Sequence, residues 1–557
     1  MKRPLRNWIL CLCLLLLLTT TARGIQVEPP FSKEAVLSAL FEADIATTRR
    51  AITEGVVSCE ELTAYYLERI DAYNEPYNCF ITLCDNALDI ARQRDEELTA
   101  GGGGGLLFGI PVVVKDNIHY EGYYTTNGFI LDPSQISDSN AYVVERLLAE
   151  GAVIIGKTNM STAADSARES TSEAVGETKN AYDPLLVAGG SSGGSAVAVS
   201  LNFAMAGLGT DTNASLRIPA VLNGCLSLRP TTGLISTEGI IPCDEARDIP
   251  GAITRTVMDQ AIMLDVLTNS IYSFAENLNG NALEGLRLGI PTELLRMEDV
   301  SSDPEVQTVF YQAIRELTTS GAEVIPISMP ELLEMADATF VWDDQPPMEA
   351  LLAYCRQVLA ENQLDGLIYP ICTNTPIKSG MDENGVLWDA YAQDFASNAY
   401  VPSSAKLPAI ALPVGYHSLG AGIGLEIVAD QGQEQLLLDI AYSYTLRFDH
   451  RAVSDGAPNG YAAFDDGDLN RLIDAYIAAR EAATEPTTVP TVEPTVEPTI
   501  EPTAAPTLPP AEKPATPQVN VWQWIVPVAA VLLVVDLGAL VWVIFRKPKK
   551  KHRFDAT

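Results

Sequence analysis

Residues 188–219, AGGSSGGSAVAVSLNFAMAGLGTDTNASLRIP, form the stretch around which the rest of this chain is organised. The stretch contains two serine sites, Ser191 and Ser192 in GGSSGG and Ser215 in TDTNASLR, joined by a helix-like run of small residues. Glycines on both sides of the first pair permit a tight backbone turn. A hydroxyl presented on such a turn is typical of nucleophilic catalysis, so the stretch indicates a reactive site as well as a fold.

The composition bounds the class of protein. The chain has 557 residues, enough for a large core, and a formal net charge of −36. So acidic a protein is not expected to bind nucleic acid. Its nine cysteines and four histidines show no metal-ligand spacing, so neither a metal nor another cofactor is expected. Cys79 and Cys84 could pair, but buried free thiols are the default expectation.

Both ends of the chain carry targeting patterns. Residues 1–24 join a basic start to a short apolar run, which predicts a signal peptide, with an uncleaved anchor as the alternative. Residues 484–520 are rich in Pro, Thr and Glu and predict an extended linker. Residues 521–545 are apolar enough for one transmembrane helix, and residues 546–557 form a basic tail expected in the cytoplasm. The expected topology is an extracellular domain tethered to the cell membrane.

Residues 30–483 alternate between strand and helix patterns, which predicts one large α/β domain. Short apolar runs predict buried strands at 110–114, 152–155, 286–290, 322–325, 366–369 and 409–412. Helical patterns occupy 141–150, 304–319 and 433–446. Ser58 begins a capping box at the start of another predicted helix.

The residues alone leave two ways to activate a serine. Residues 189–193 spell GxSxG, but the apolar run before them is short for the elbow of a Ser-His-Asp triad. A desolvated lysine is the other base, because burial lowers the pKa of its ammonium group. Lys115 suits this role since it ends the predicted strand 110–114, although a single strand-end lysine is ordinarily solvated. His119 is expected to line the pocket or lie on the surface.

Five segments in order resemble the amidase signature family. They are GIPVVVKDNI at 109–118, GKTNMS at 156–161, GGSSGGSA at 189–196, GTDTNASLRIP at 209–219 and GCLSLRPTTGLIS at 224–236. The resemblance runs from about Leu37 to about Ala483, which covers nearly all of the globular part. It implies a single α/β domain in which helices cover a central mixed β-sheet.

The resemblance also implies a Ser-cisSer-Lys triad. In this chain Lys115 would be the base, Ser191 the bridging serine after a cis peptide bond, and Ser215 the nucleophile. The backbone N–H groups expected to form the oxyanion hole are those of Thr212, Asn213 and Ala214. The residues expected to support the site are Ser192, through a hydrogen bond, and Asp211 and Arg217, through an ion pair.

One pair of residues departs from the family pattern. The family usually has Gly-Gly before the nucleophile, and this chain has Asn213-Ala214. If these positions require a positive φ, asparagine adopts it fairly readily and alanine poorly. The departure predicts a narrowed or reshaped oxyanion hole.

The sequence therefore predicts an exported, membrane-tethered amidase that cleaves a carboxamide C–N bond through an acyl-enzyme on Ser215. Its expected partners are a small-molecule or peptide amide substrate and the membrane, bound through the C-terminal helix; no oligomeric state is predicted. A catalytically impaired amidase-like binding protein is one alternative, suggested by Asn213-Ala214. A glutamine-hydrolysing amidotransferase subunit is the other, and the predicted export argues against it.

Overall fold

The computed structural model describes residues 33–269, 271–295, 303–339, 345–374, 396–458 and 466–484. These belong to the first of two compact units, Met1–Pro486, and the second unit, Thr487–Thr557, lies outside the described residues. The predicted signal peptide, transmembrane helix and tail also lie outside them, as does the linker apart from Thr484. In the described ranges, no helix combines the length and the apolar character needed to span a bilayer.

The strands of the described residues form one large sheet and one small hairpin. In chain order they are β1 (Phe80–Leu83), β2 (Pro111–Lys115), β3 (Val153–Thr158), β4 (Thr171–Ser172), β5 (Gly176–Glu177), β6 (Ala206–Asp211), β7 (Leu226–Arg229), β8 (Ile249–Thr254), β9 (Arg287–Pro291), β10 (Glu323–Ile327), β11 (Gly366–Pro370), β12 (Ala409–Tyr416) and β13 (Gly422–Val428). The large sheet has 11 strands in the order β1-β3-β2-β6-β8-β7-β12-β13-β11-β9-β10, and β4 pairs with β5.

The large sheet is mixed. Strands β3, β2 and β6 are mutually parallel, as are β11, β9 and β10, and the other neighbouring pairs are antiparallel. The prediction of an α/β domain with a central mixed sheet is confirmed. The six predicted strands are all present, shifted or extended by a few residues because element ends are fixed by pairing as well as by pattern.

Helices separate most of the strands. In chain order they are α1 (Lys33–Ala39), α2 (Ile45–Thr53), α3 (Cys59–Tyr73), α4 (Ala87–Thr99), α5 (Tyr142–Ala149), α6 (Gly193–Ser200), α7 (Arg217–Leu222), α8 (Val257–Leu267), α9 (Pro304–Thr319), α10 (Leu332–Ala338), α11 (Gln345–Asn362), α12 (Tyr400–Ser404), α13 (Glu434–Thr445) and α14 (Asp466–Thr484). The capping box predicted at Ser58 is present at the start of α3. The run between the two serine sites, predicted to be helix-like, is helix α6 followed by the buried strand β6.

Strands β2 and β6 position the candidate site. All five residues of β2 and all six of β6 are buried, as expected for central strands covered on both faces. The two strands are parallel neighbours, with Val114 opposite Leu208. Their carboxyl ends, Lys115 and Asp211, therefore lie at the same edge of the sheet. Ser191 and Ser192 immediately precede helix α6, which packs against both strands.

Candidate active site

Lys115 is fully buried at the end of strand β2 and is held between two hydroxyl groups. Its Nζ donates to Ser191 Oγ at 2.7 Å and to Thr210 Oγ1 at 2.8 Å. The side chain of Asn117 donates to the same Thr210 oxygen at 3.1 Å. Lys115 is therefore not a solvated strand-end lysine, and Thr210 orients its amine toward Ser191.

Burial lowers the pKa of Lys115 to about 7, against the opposing influence of Cys243, Asp248 and Asp211. Removing an ammonium group from water penalises its charged form, and here this penalty is larger than the attraction of the nearby acidic groups. A substantial fraction of the amine is consequently neutral at pH 7. A neutral amine next to a hydroxyl is able to accept the hydroxyl proton, which an ammonium group cannot do.

Ser191 lies in a crowded turn before helix α6. The Gly190–Ser191 peptide bond is cis, as the family resemblance implies. Gly189 has a φ of +75°, and a Cβ at Gly190 would lie 2.1 Å from the carbonyl oxygen of Glu169. Glycine is thus required at both positions, by backbone conformation at the first and by space at the second. The backbone N–H of Ser192 donates to the carbonyl oxygen of Ser215 at 3.1 Å, which joins the two serine turns.

Ser192 supports the same region through its side chain. Its Oγ donates to the carbonyl oxygen of Thr210 at 3.3 Å and accepts from the Thr210 N–H at 3.4 Å. The supporting hydrogen bond expected of Ser192 is therefore present. These two hydrogen bonds connect the turn that contains the cis peptide bond to strand β6, which carries Thr210 and Asp211.

Ser215 is buried in the turn between strand β6 and helix α7, and a network of charges fixes this turn. Arg217 Nε donates to Asp211 Oδ2 at 3.0 Å, which confirms the predicted ion pair. Arg229 Nη1 donates to Asp211 Oδ1 at 2.9 Å, and Arg217 also pairs with Glu426. Burial alone would raise the pKa of Asp211, but the two guanidinium groups hold it well below its usual value.

The three predicted oxyanion donors are not equivalent. The N–H of Ala214 donates to Asp211 Oδ1 at 3.0 Å, so it already has an acceptor inside the protein. Within the described ranges, no acceptor receives the N–H of Thr212 or Asn213. The expectation that Ala214 offers its N–H to a substrate is thus wrong for this structure, because the buried Asp211 carboxylate takes that donor. Ala214 also has a φ of +74°, the left-handed conformation that glycine adopts without strain.

Several contacts of this site are not predicted from the sequence. Thr210 contacts Lys115, and the Thr212 hydroxyl donates to Asp248 Oδ1 at 2.5 Å. Arg247, which is 3% exposed, donates from Nη1 to Asn213 Oδ1 at 3.2 Å. The sequence carries no local signal of these contacts, since they join separate parts of the chain.

A second buried lysine lies beside the site. Lys157 belongs to the GKTNMS segment, and its Nζ lies 3.6 Å from Asp116 Oδ1 with both side chains fully buried. Its Nζ also donates to the carbonyl oxygen of Tyr124 and to Thr125 Oγ1. Burial lowers the pKa of Lys157 to about 8, against the attraction of Asp116. These contacts assign Lys157 to holding the 124–126 loop rather than to the serine turns.

The other candidates of the sequence lie apart from this arrangement. The backbone N–H of His119 donates to Gly239, and its ring makes no hydrogen bond with Lys115, Ser191 or Ser215 in the described ranges. In that part of the chain, no three His, Cys, Asp or Glu residues are grouped to hold a metal ion. The two cysteines that could have paired are buried free thiols, as expected by default.

Comparison with known proteins gives three consistent similarities. A sequence model of the family described as Amidase matches residues 61–345 and 348–438. A glutamyl-tRNA(Gln) amidotransferase subunit from Chlorobium phaeobacteroides is 36% identical over 51% of this chain and 61% of its own length. The mandelamide hydrolase of Pseudomonas putida is 29% identical over 76% of this chain and 93% of its own length.

A solved structure has the same architecture. The peptide amidase of Stenotrophomonas maltophilia superimposes with a TM-score of 0.65 and 27% identity, over 76% of this chain and 100% of its own. The chain thus spans about three fifths of the amidotransferase relative and nearly all of the two amide-cleaving enzymes.

Proposed function

The chain belongs to the amidase family, and from this premise we propose that it hydrolyses a carboxamide C–N bond through an acyl-enzyme on Ser215. The observation that carries the proposal is the 2.7 Å contact between Lys115 Nζ and Ser191 Oγ in a buried site. Because burial brings the pKa of Lys115 to about 7, the amine is available as a base. A lysine in contact with a serine is one of the arrangements that replace a Ser-His-Asp triad.

The proposed reaction moves one proton through two serines. Neutral Lys115 accepts the hydroxyl proton of Ser191 as Ser191 accepts that of Ser215, and Ser215 Oγ bonds to the carbonyl carbon. The C–N bond of the tetrahedral intermediate then breaks, and the leaving nitrogen takes the proton back through the same path. Water attacks the resulting ester by the same relay and releases the carboxylic acid and free Ser215.

The negative charge of the tetrahedral intermediate needs donors near Ser215. The N–H groups of Thr212 and Asn213 precede Ser215 and are unused within the described residues, so they are the proposed backbone donors. The third expected donor, the N–H of Ala214, is occupied by Asp211. A preorganised donor in such a site contributes about 3 kcal/mol to transition-state stabilisation, so the loss of one is significant.

The proposed substrate is a small-molecule or peptide amide. The similarity to proteins named mandelamide hydrolase and peptide amidase supports this class, since both similarities cover nearly the whole length of those proteins. The similarity to amidotransferase subunits is higher in identity but spans about half of this chain. It favours a second candidate function, the hydrolysis of glutamine, which an ammonia assay with free glutamine tests directly.

The cellular location is a separate proposal that rests on sequence alone. We propose that the domain is exported and held at the cell membrane by residues 521–545, with the basic tail in the cytoplasm. Protease treatment of intact cells tests it. Loss of the domain from cells that retain the tail supports the proposal, and a domain protected until the cells are lysed contradicts it.

A catalytically impaired binding protein is the remaining alternative, and the strained Ala214 with its occupied N–H favours it. A fluorophosphonate probe distinguishes it from an enzyme. We expect the folded protein to be labelled at Ser215, the Ser215→Ala variant to be unlabelled, and a panel of primary, peptide and N-acyl amides to reveal a substrate. If Ser215 stays unlabelled while an active amidase control reacts, the hydrolase proposal is wrong.

A further inference from the structure

Asn213 occupies a position between the end of strand β6 and the nucleophile. Its side-chain oxygen accepts a hydrogen bond from Arg247 Nη1 at 3.2 Å. A guanidinium group donates and never accepts, so the atom facing Arg247 must be the amide oxygen Oδ1. The amide nitrogen Nδ2 is therefore directed away from Arg247.

Arg247 is itself held in place. Its Nε donates to Asp244 Oδ2 at 2.6 Å, and its Nη2 donates to the carbonyl oxygen of Thr339. With the side chain 3% exposed, Arg247 has little freedom to leave Asn213. The amide plane of Asn213 is thus fixed by a buried partner rather than free to rotate.

The Nδ2 group is an unused donor. Asn213 is half-buried, and in the described part of the chain no acceptor receives a hydrogen bond from Nδ2. Asn213 belongs to the segment 212–214, whose backbone N–H groups are the expected oxyanion donors. One of these donors is missing, since the N–H of Ala214 donates to Asp211. A glycine at position 213, as in the family pattern, could not supply a side-chain donor.

We propose that Nδ2 of Asn213 donates a hydrogen bond to the substrate carbonyl oxygen as that oxygen becomes an oxyanion. This inference rests on the proposed amide hydrolysis at Ser215. Arg247 acts as a positioning residue that fixes the orientation of the amide. The positive charge of the Arg247 guanidinium group, next to Oδ1, also polarises the Asn213 amide and makes Nδ2 a stronger hydrogen-bond donor. The Asn213 side chain thereby supplies the donor that the Ala214 backbone no longer offers.

The test compares two replacements of Asn213 with the wild type, using the best amide of the panel. Asn213→Gly removes the side chain and keeps the backbone N–H, and Asn213→Asp keeps an acceptor for Arg247 while removing the donor. We expect kcat to fall about 10²-fold in N213G and further in N213D, with KM changed little, as for loss of one oxyanion donor. A kcat within threefold of wild type in either folded variant overturns the inference.

A transition-state analogue provides a second readout. A trifluoromethyl ketone built on the same acyl group forms an oxyanion on Ser215, whereas the carboxylic acid product does not. N213G should weaken ketone inhibition by about the same factor as kcat/KM and leave product inhibition unchanged. Equal weakening of both inhibitors assigns Asn213 to ground-state binding and overturns the inference.

Arg247 is tested through its coupling to Asn213. Arg247→Met should lower kcat in the wild-type background but have little further effect in N213G, because the amide it orients is already absent. Equal effects in both backgrounds overturn the positioning role, and thermal unfolding verifies that each variant is folded. A wild-type protein inactive on every amide and unlabelled by fluorophosphonate contradicts the proposed function itself. Activity without sensitivity to Asn213 contradicts only this inference.

Discussion

Lys115 Nζ lies 2.7 Å from Ser191 Oγ, and both side chains are fully buried. The two residues are 76 positions apart in the chain and are joined because parallel strand β2 ends where the 190–192 turn packs on the sheet. The proposed base is thus in direct hydrogen-bond contact with the serine whose proton it would accept. Burial of this lysine lowers its pKa to about 7.

The first prediction concerns the pH dependence of activity. Because only neutral Lys115 accepts a proton, kcat/KM should rise about tenfold per pH unit at low pH and level off above an apparent pKa near 7. Initial rates between pH 5 and 9 measure this profile. Lys115→Met should remove nearly all activity at every pH, and a profile flat across this range would contradict the assignment.

His119 is the control for this profile, since a histidine is the usual source of a pKa near neutrality. Burial lowers the pKa of His119, and its ring lies outside the contacts of Lys115. His119→Gln should leave the apparent pKa unchanged. A shift in the profile of this variant would assign the titration to His119.

Lys115 should also affect how the free energy of unfolding depends on pH. In the unfolded chain Lys115 keeps its proton up to about pH 10.4, and in the folded protein only up to about 7. Between these values the unfolded state binds more protons, so this group makes the free energy of unfolding rise with pH. Denaturant titrations at pH 7 and 9 should show the rise, and Lys115→Met should reduce it.

Thr210 is the basis of the next prediction. Its hydroxyl accepts from Lys115 at 2.8 Å and orients the amine toward Ser191. Thr210→Val should lower kcat roughly tenfold, the value of one hydrogen bond to a charged group, while Thr210→Ser should retain it. The valine variant should also lower the apparent pKa, because Thr210 stabilises the charged amine. An unchanged apparent pKa in T210V would argue against this orienting role.

The site divides into parts that the sequence predicts and parts that it does not. Strand β2 is recognisable because its valines form a continuous apolar run. Local features single out Lys115 at the end of a predicted strand and Ser191 in a glycine-rich turn, but only the resemblance to ordered motifs joins them with Ser215 in one triad. Thr210 and Arg247 were missed because their roles come from contacts across 95 and 34 positions, which no short pattern encodes.

The departure at Asn213-Ala214 was visible in the sequence, but its consequence was only partly predictable. The sequence predicts strain only if one of the two positions requires a positive φ. In the structure Ala214 is that position, with a φ of +74°. The hydrogen bond from the Ala214 N–H to Asp211 depends on the position of the carboxylate, which Arg217 and Arg229 hold between them. Only the folded arrangement of strand β6 and helix α7 determines that position.

Ala214 provides a stability prediction. An alanine in the left-handed region is strained by about 1 kcal/mol relative to glycine, so Ala214→Gly should stabilise the protein by up to about that amount. Ala198, in the middle of helix α6, is the matched control, where the same replacement should destabilise by about 1 kcal/mol. Urea unfolding measures both variants. Equal destabilisation by the two replacements would show that Ala214 carries no relevant strain.

The last prediction concerns the charge network under the nucleophile. Asp211 accepts hydrogen bonds from Arg217 and Arg229, and all three side chains are fully buried. Asp211→Asn removes the shared negative charge and should cost about 3–5 kcal/mol, because the buried guanidinium group of Arg229 loses its carboxylate partner and Arg217 keeps only Glu426. The contribution of Asp211 is complete above its unfolded pKa of about 3.9 and is lost only as the pH falls below that value. Asp211 itself therefore contributes equally at pH 6 and pH 8, whereas Lys115, whose pKa the Asp211 charge raises, should titrate at a lower pH in D211N.

Asp430→Asn is the matched control for this substitution. Asp430 pairs with Arg356 at 2.7 Å, and both side chains are more than 40% exposed. Solvent screens such a pair, so its loss should cost no more than about 1 kcal/mol. Asp211→Asn should also slow acylation of Ser215, since the carboxylate holds the N–H groups of Ala214 and Leu216 on either side of the nucleophile. Comparable losses of stability in the two variants would mean that the buried network does not fix the turn that carries Ser215.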